Sequence, residues 1–168
     1  MAHRVFIGIG SNLGDRKGHY HEALERVAKL PKTRVVKESS VYESEPHGEG
    51  TQWYVNGVAE LDTELTADQL LRRLKAIEQA MGRNKKRQKS RGKKWAPRTI
   101  DLDILFFDHQ IVQTRGLSIP HPELHNRRFV LLPLSELAPN LVHPRLGVSV
   151  SGLLATLRND KKVTLMPP

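Results

Sequence analysis

The 168-residue sequence predicts an α+β fold, a mainly antiparallel sheet with its helices packed on one face, and three observations predict it. Runs rich in β-branched or alternating apolar residues recur at 4–10, 33–44, 53–63 and 99–107. Two segments with apolar residues at helical spacing lie between the first and second runs and between the third and fourth. Gly, Pro, Asn and Asp punctuate the junctions. The resulting order, β-α-β-β-α-β, is that of a ferredoxin-like core, whose second sheet face is left open and is where a site is expected. A C-terminal extension follows it.

The first strand, "RVFIGIG", runs into turn chemistry at "SNLGDR". In "KGHYHEALERVAKL", Tyr20, Ala23, Leu24, Val27 and Leu30 share a helical face that Pro31 ends. "TRVVKESSVYES" and "WYVNGVAELDT" read as a hairpin joined by the long loop "EPHGEGTQ". Thr66 with Gln69 forms a capping box for a second helix, which buries Leu70, Leu71, Leu74, Ile77 and Met81 and closes at Gly82. "TIDLDILFF" is the fourth strand, and "IVQ" is a short strand after a turn at "DHQ". From Pro120 onward helical spacing is interrupted by Pro133, which predicts short helices or turns. One domain, 1–168, is expected, because no repeat or linker divides the chain.

The chain has no cysteine, which excludes disulfides and sulfur-based zinc or redox chemistry. No run approaches the roughly 20 apolar residues that span a bilayer, and the N-terminal apolar stretch is too short for a signal peptide. A cytoplasmic protein without membrane or nucleic-acid partners, and a monomer, is expected. The net charge of +9 is concentrated. Nine of the 27 Lys and Arg fall between Arg83 and Arg98, where no Asp or Glu occurs; the other 18 balance 18 acidic residues. One basic loop implies a small anionic partner better than a polyanion-binding face does.

Asp101-Leu102-Asp103 carries the chemistry. On a strand both carboxylates point one way and Ile100, Leu102 and Ile104 the other. Like charges so close call for a cation, and hard oxygen ligands suit Mg²⁺. The competing reading is two solvated charges on an edge strand. Arg98, set by Pro97 just before the strand, favours the metal reading by adding a planar fork suited to phosphate. Trp95 within the basic loop suits stacking over a planar ligand, or alternatively plugs into the core. Tyr54 and Asn56 alternate onto one strand face, an aromatic and an amide that suit a heterocycle. "GIGSNLG" has the wrong spacing for a nucleotide loop and reads as a tight turn. "HPELH" is one place off a zinc-protease pattern; its histidines beside Arg127 suit phosphate binding or turn hydrogen bonds.

Taken together, "KWAPRTIDLDIL" (Lys94 to Leu105), "IGSNLGD", "SSVYESEPHG", "YVNGV" and "IPHPELHNRRFVLLPLSELAP", with His143-Pro144, resemble the 6-hydroxymethyl-7,8-dihydropterin pyrophosphokinases of folate biosynthesis over most of the chain. The resemblance implies Mg²⁺-dependent transfer of the pyrophosphoryl group of ATP to the pterin's hydroxymethyl oxygen, leaving AMP. It implies Asp101 and Asp103 as ligands of two Mg²⁺ ions, with Arg83 and Arg98 completing the catalytic set. Lys75, Glu78, Arg98, His121 and Arg127 match ATP-binding positions. Ser44, Glu45, His47, Tyr54, Asn56, Trp95 and Phe129 match the pterin site. His125 and Gly116 depart from the family, standing where some members carry Lys and Arg. The rival is an RNA-binding ferredoxin-like module using the basic loop 83–98, but the aromatic stacking motif it requires is absent from the sequence.

Overall fold

The computed structural model describes residues 2–46, 52–82, 99–158 and 161–167. Its elements follow the predicted order through the core: β1 (His3–Ser11), α1 (Arg16–Ala28), β2 (Thr33–Glu38), β3 (Tyr42–Ser44), β4 (Tyr54–Thr63), α2 (Ala67–Ala80) and β5 (Asp101–Phe107). Then come β6 (Val112–Gln113), β7 (Ser118–Ile119), a 3₁₀ turn at Leu124–Asn126, α3 (Arg128–Leu137), α4 (Val150–Thr156) and β8 (Val163–Leu165). The main sheet is antiparallel throughout, in the order β5-β1-β4-β3-β8, with β2 also paired to β4.

The run 33–44, read as one strand, is two. At the break the hydroxyl of Ser39 accepts the N–H of Val58 at 2.9 Å, while Ser39 N–H donates to the carbonyl of Val58. A side chain thus substitutes for a ladder bond where the strand is interrupted. The capping box of α2 forms as predicted: Gln69 N–H donates to Thr66 Oγ1 at 3.2 Å and Thr66 N–H to Gln69 Oε1 at 3.0 Å. Gly82, at φ 103°, follows that helix in a conformation other residues resist.

Strand parity sorts the core into two layers. Val5, Ile7, Ile9, Leu102 and Ile104 pack against α1 and α2 through Tyr20, Leu24, Leu70, Leu74 and Ile77. Tyr20 requires Gly57 opposite it, since a Cβ there would sit 1.9 Å from the tyrosine hydroxyl. Phe6, Val58, Leu105 and Phe106 face the other way and are covered by Val130, Leu131 and Leu134 of α3 and Val150 and Leu153 of α4. The open second face predicted by the sequence is therefore only partly open. Pro133 does not prevent α3: a proline inside a helix costs about 3 kcal/mol, less than the roughly 4.5–9 kcal/mol gained by burying Val130, Leu131 and Leu134 together. What remains partly uncovered is the end of the sheet at Gly8, Asp101 and Asp103.

Candidate active site

The floor of that uncovered end is built by strand register. Asp101 pairs with Gly10 and Asp103 with Gly8 across the β1–β5 ladder. Both aspartates are half-buried on one face, while Leu102 and Ile104 are buried on the other. The alternation predicted for this strand holds. Gly8 and Gly10 are inside β1, as the predicted first strand over 4–10 has them, and of the three glycines in "GIGSNLG" only Gly14 adopts a positive φ, of 65°. Their missing side chains keep the face shallow. A Cβ on Gly10 would lie 3.3 Å from Asn56 Oδ1 and 3.9 Å from Tyr54 Cδ1, and one on Gly8 would lie 3.5 Å from Leu105.

Two cavities meet at the aspartates. The smaller, about 60 Å³, is lined by Gly8, Gly10, Tyr54, Asn56, Leu105, Phe129 and Val130. The larger, about 460 Å³, is lined by Leu71, Lys75, Glu78, Leu102, Ile104, Arg115 and Leu117. Asp101, Asp103, His121 and Arg127 line both. The Arg127 guanidinium also lies 5.6 Å from the centroid of the Phe129 ring, so one cation serves the polar cavity and the aromatic wall. The smaller chamber is below the ~150 Å³ of a cavity that takes up benzene. A planar bicycle therefore fills it and extends into its open mouth, where Tyr54 and Phe129 are the lining aromatic rings.

Each side chain is fixed from behind. Asn56 donates its amide N–H to Ser44 Oγ at 2.6 Å, a buried bond that orients it between β3 and β4. Glu78 is only 4% exposed, and its carboxylate accepts the N–H of Leu102 at 2.8 Å, locking α2 to β5 between the two aspartates. His121 is delivered by a bulge. Leu105 is the extra residue where the β1–β5 register shifts, and its carbonyl accepts His121 N–H at 3.0 Å. Glu123 N–H donates to His121 Nδ1 at 3.1 Å, so the neutral ring carries its proton on Nε2.

Burial, aided by Arg127, pushes the His121 imidazole down from 6.5 to about 4, although Asp101 and Glu123 pull the other way. The folded chain keeps this ring neutral where the unfolded chain protonates it, so stability is complete above pH 6.5 and is lost as pH falls toward 4. Between pH 7 and 5 the loss is about 2 kcal/mol. Urea titrations at those two pH values are expected to show this extra loss in the wild type relative to His121→Gln. Equal losses would overturn the assignment.

The predicted residues divide as follows. Asp101, Asp103, His121 and Arg127 converge; Lys75 and Glu78 join them in the larger cavity, and Tyr54, Asn56 and Phe129 in the smaller. Ser44 reaches the site through Asn56. Glu45 is turned to the C-terminal tail, where its N–H donates to the Lys162 carbonyl at 3.1 Å and its Oε1 accepts Lys162 N–H at 3.2 Å. Its backbone N–H is thereby committed to the tail. His47, Arg83, Trp95 and Arg98 lie outside the described residues. Sequence reasoning missed Gly8, Gly10 and Arg115. The two glycines were detectable by parity, since they alternate with Ile7 and Ile9 exactly as a strand's second face requires.

Asp101 and Asp103 suit a divalent cation on structural grounds: two hard carboxylate donors share a face whose opposite strand carries no side chain at either paired position.

Comparison with known proteins agrees with this arrangement. The family model for 7,8-dihydro-6-hydroxymethylpterin-pyrophosphokinase (HPPK) matches residues 6–139. A 2-amino-4-hydroxy-6-hydroxymethyldihydropteridine pyrophosphokinase from Haemophilus influenzae is 39% identical over 164 residues, covering 97% of this chain and 98% of the relative. Its counterpart from Pseudomonas aeruginosa is 43% identical over 145 residues, 86% of each. Among solved structures, an HPPK-DHPS in complex with substrates aligns at TM-score 0.68 and 14% identity over 93% of this chain. Wild-type Plasmodium falciparum HPPK-DHPS aligns at 0.70 and 14% over 92%. The chain spans 43% and 44% of those two structures, whose likeness bears on the fold alone. The RNA-binding alternative gains no support from any of these matches. On the extent of the family match and the near-complete coverage of its relatives, the chain belongs to the 7,8-dihydro-6-hydroxymethylpterin-pyrophosphokinase family and is a pyrophosphokinase.

Proposed function

We propose that this chain, as one domain over 1–168 and a cytoplasmic monomer, transfers the pyrophosphoryl group of ATP to the hydroxymethyl oxygen of 6-hydroxymethyl-7,8-dihydropterin in folate biosynthesis. The observation that carries the reading is the pair of adjoining cavities with Asp101, Asp103, His121 and Arg127 in common. A two-substrate transfer needs an acceptor chamber and a donor chamber that meet at the reacting phosphorus.

The larger cavity suits ATP: Leu71, Ile104 and Leu117 in its lining offer apolar surface for the base, and Lys75 and Arg127 offer cations for the phosphates. The smaller suits the pterin, with Tyr54 and Phe129 as ring walls and the Asn56 amide, oriented by Ser44, reading the heterocycle edge. Glu45 contributes through the strand end it extends. Asp101 and Asp103 would hold Mg²⁺, two ions in this reading, which neutralise phosphate charge when bound. The acceptor oxygen bonds to the β-phosphorus, the bond from that phosphorus to the oxygen bridging to the α-phosphate breaks, and AMP leaves as the hydroxyl proton is released. His121, neutral, offers Nε2–H to a phosphoryl oxygen as a donor, and Arg127 adds a fixed charge. Glu78 keeps the two aspartates in register through Leu102. Arg83 and Arg98 complete the phosphate grip in this reading, and His47 and Trp95 the pterin site.

The test is product analysis with ATP, Mg²⁺ and the hydroxymethyl dihydropterin. AMP is expected only when all three are present. ADP as the product, or AMP formed equally without pterin, would overturn the proposal.

A further inference from the structure

Arg16 lies outside both cavities yet holds the strand end on which the smaller one is built. Gly14 turns the chain at φ 65°, Arg16 N–H donates to the Gly14 carbonyl at 3.0 Å, and Asp15 caps α1 by accepting Gly18 N–H at 3.1 Å. This turn aims Arg16, the first residue of α1, across the sheet. Its Nη1 donates to the Trp53 carbonyl at 2.6 Å and to Glu43 Oε2 at 3.2 Å. Glu43 immediately precedes Ser44, and Trp53 immediately precedes Tyr54. Ser44 and Tyr54 are the last paired residues of the β3–β4 ladder. One guanidinium therefore ties both strands where their own pairing ends, beside the residues that orient Asn56 and form the aromatic wall.

We propose that Arg16 is a positioning residue for the acceptor substrate, holding Ser44, Tyr54 and Asn56 in place. A ring seated against Tyr54 and Asn56 needs that strand end fixed, and without a tie at 43 and 53 it would fray where its ladder stops. The side chain is 21% exposed, so its bond to the Trp53 carbonyl is sheltered from water, whereas the Glu43 carboxylate is 32% exposed and its ion pair is the weaker half of the tie. Arg16 touches neither phosphate nor reacting atoms in this role, so its effect belongs to one substrate.

The role rests on the pterin reading above. Initial rates of AMP formation, with pterin and ATP varied separately, test it. Arg16→Ala is expected to raise the KM for pterin about tenfold, with the KM for ATP and kcat at saturating pterin within about twofold. Arg16→Lys should recover most of that loss, because one ammonium can still donate to the carbonyl and pair with the carboxylate. Glu43→Gln, which leaves the carbonyl bond intact, should stay within about twofold of wild type. If Arg16→Ala does not fold, Arg16→Gln, which keeps one donor, is read in its place. An unchanged pterin KM, or both KM values and kcat worsening in step with melting temperature, would overturn the role. A wild type that releases no AMP would overturn the functional reading and this role with it, whereas an active wild type with an indifferent Arg16 variant overturns the role alone.

Discussion

Asp101→Asn is expected to slow AMP formation by about 100-fold or more while leaving the melting temperature close to that of the wild type. The substitution keeps the shape of the side chain and its place opposite Gly10, so the β1–β5 register has no reason to shift. It removes one of two negative charges that share a strand face. In the reaction the same charge is needed to hold Mg²⁺ against the phosphates, and its loss is felt most where phosphoryl charge develops. Steady-state kinetics across Mg²⁺ concentrations, with a thermal melt on the same sample, separates the two effects. Turnover near wild type would reject the metal-binding role. A large drop in melting temperature would show instead that Asp101 supports the fold.

How far the site could be read in advance depended on whether its determinants were local. The Asp-x-Asp alternation on β5 was legible because Leu102 and Ile104 declare the buried face by themselves. So was the start of α2, because Thr66 and Gln69 cap within four residues. The placement of His121 was not. It depends on one extra residue, Leu105, entering the ladder with β1, and only the pairing of strands about a hundred residues apart reveals that insertion. The cover over half of the second face was equally hidden. Pro133 masks the helical spacing of α3 locally, and the burial that stabilises it comes from Phe6, Val58 and Phe106 on distant strands. Gly8 and Gly10 were placed in the first strand, but their part in the site went unread for a related reason: a glycine's missing side chain matters only once the second face of its strand is known to line a cavity. Burial against sequence neighbours was readable, and burial against a strand far along the chain was not.

That distinction gives Glu78 the second large effect. A charged residue on an amphipathic helix is usually solvated, yet this one is 4% exposed with its carboxylate on the Leu102 N–H. Glu78→Ala leaves that backbone donor without its acceptor and opens a void between α2 and β5. An unsatisfied buried donor costs about 1–3 kcal/mol, more when its lost partner was charged. The expected loss is about 3 kcal/mol, which for a chain of this length lowers the melting temperature by roughly 6–12 °C. Activity should fall as well, because Leu102 lies between Asp101 and Asp103 and any relaxation of its backbone moves both. Glu78→Gln retains an acceptor oxygen and should lose less than half as much stability. Calorimetry of the three proteins, with kinetics below the lowest transition, checks the chain of cause. If Glu78→Ala melts within about 1 °C of wild type, the bond to Leu102 does not anchor β5. If it melts low but turns over normally in its folded range, the register of the aspartates does not depend on α2.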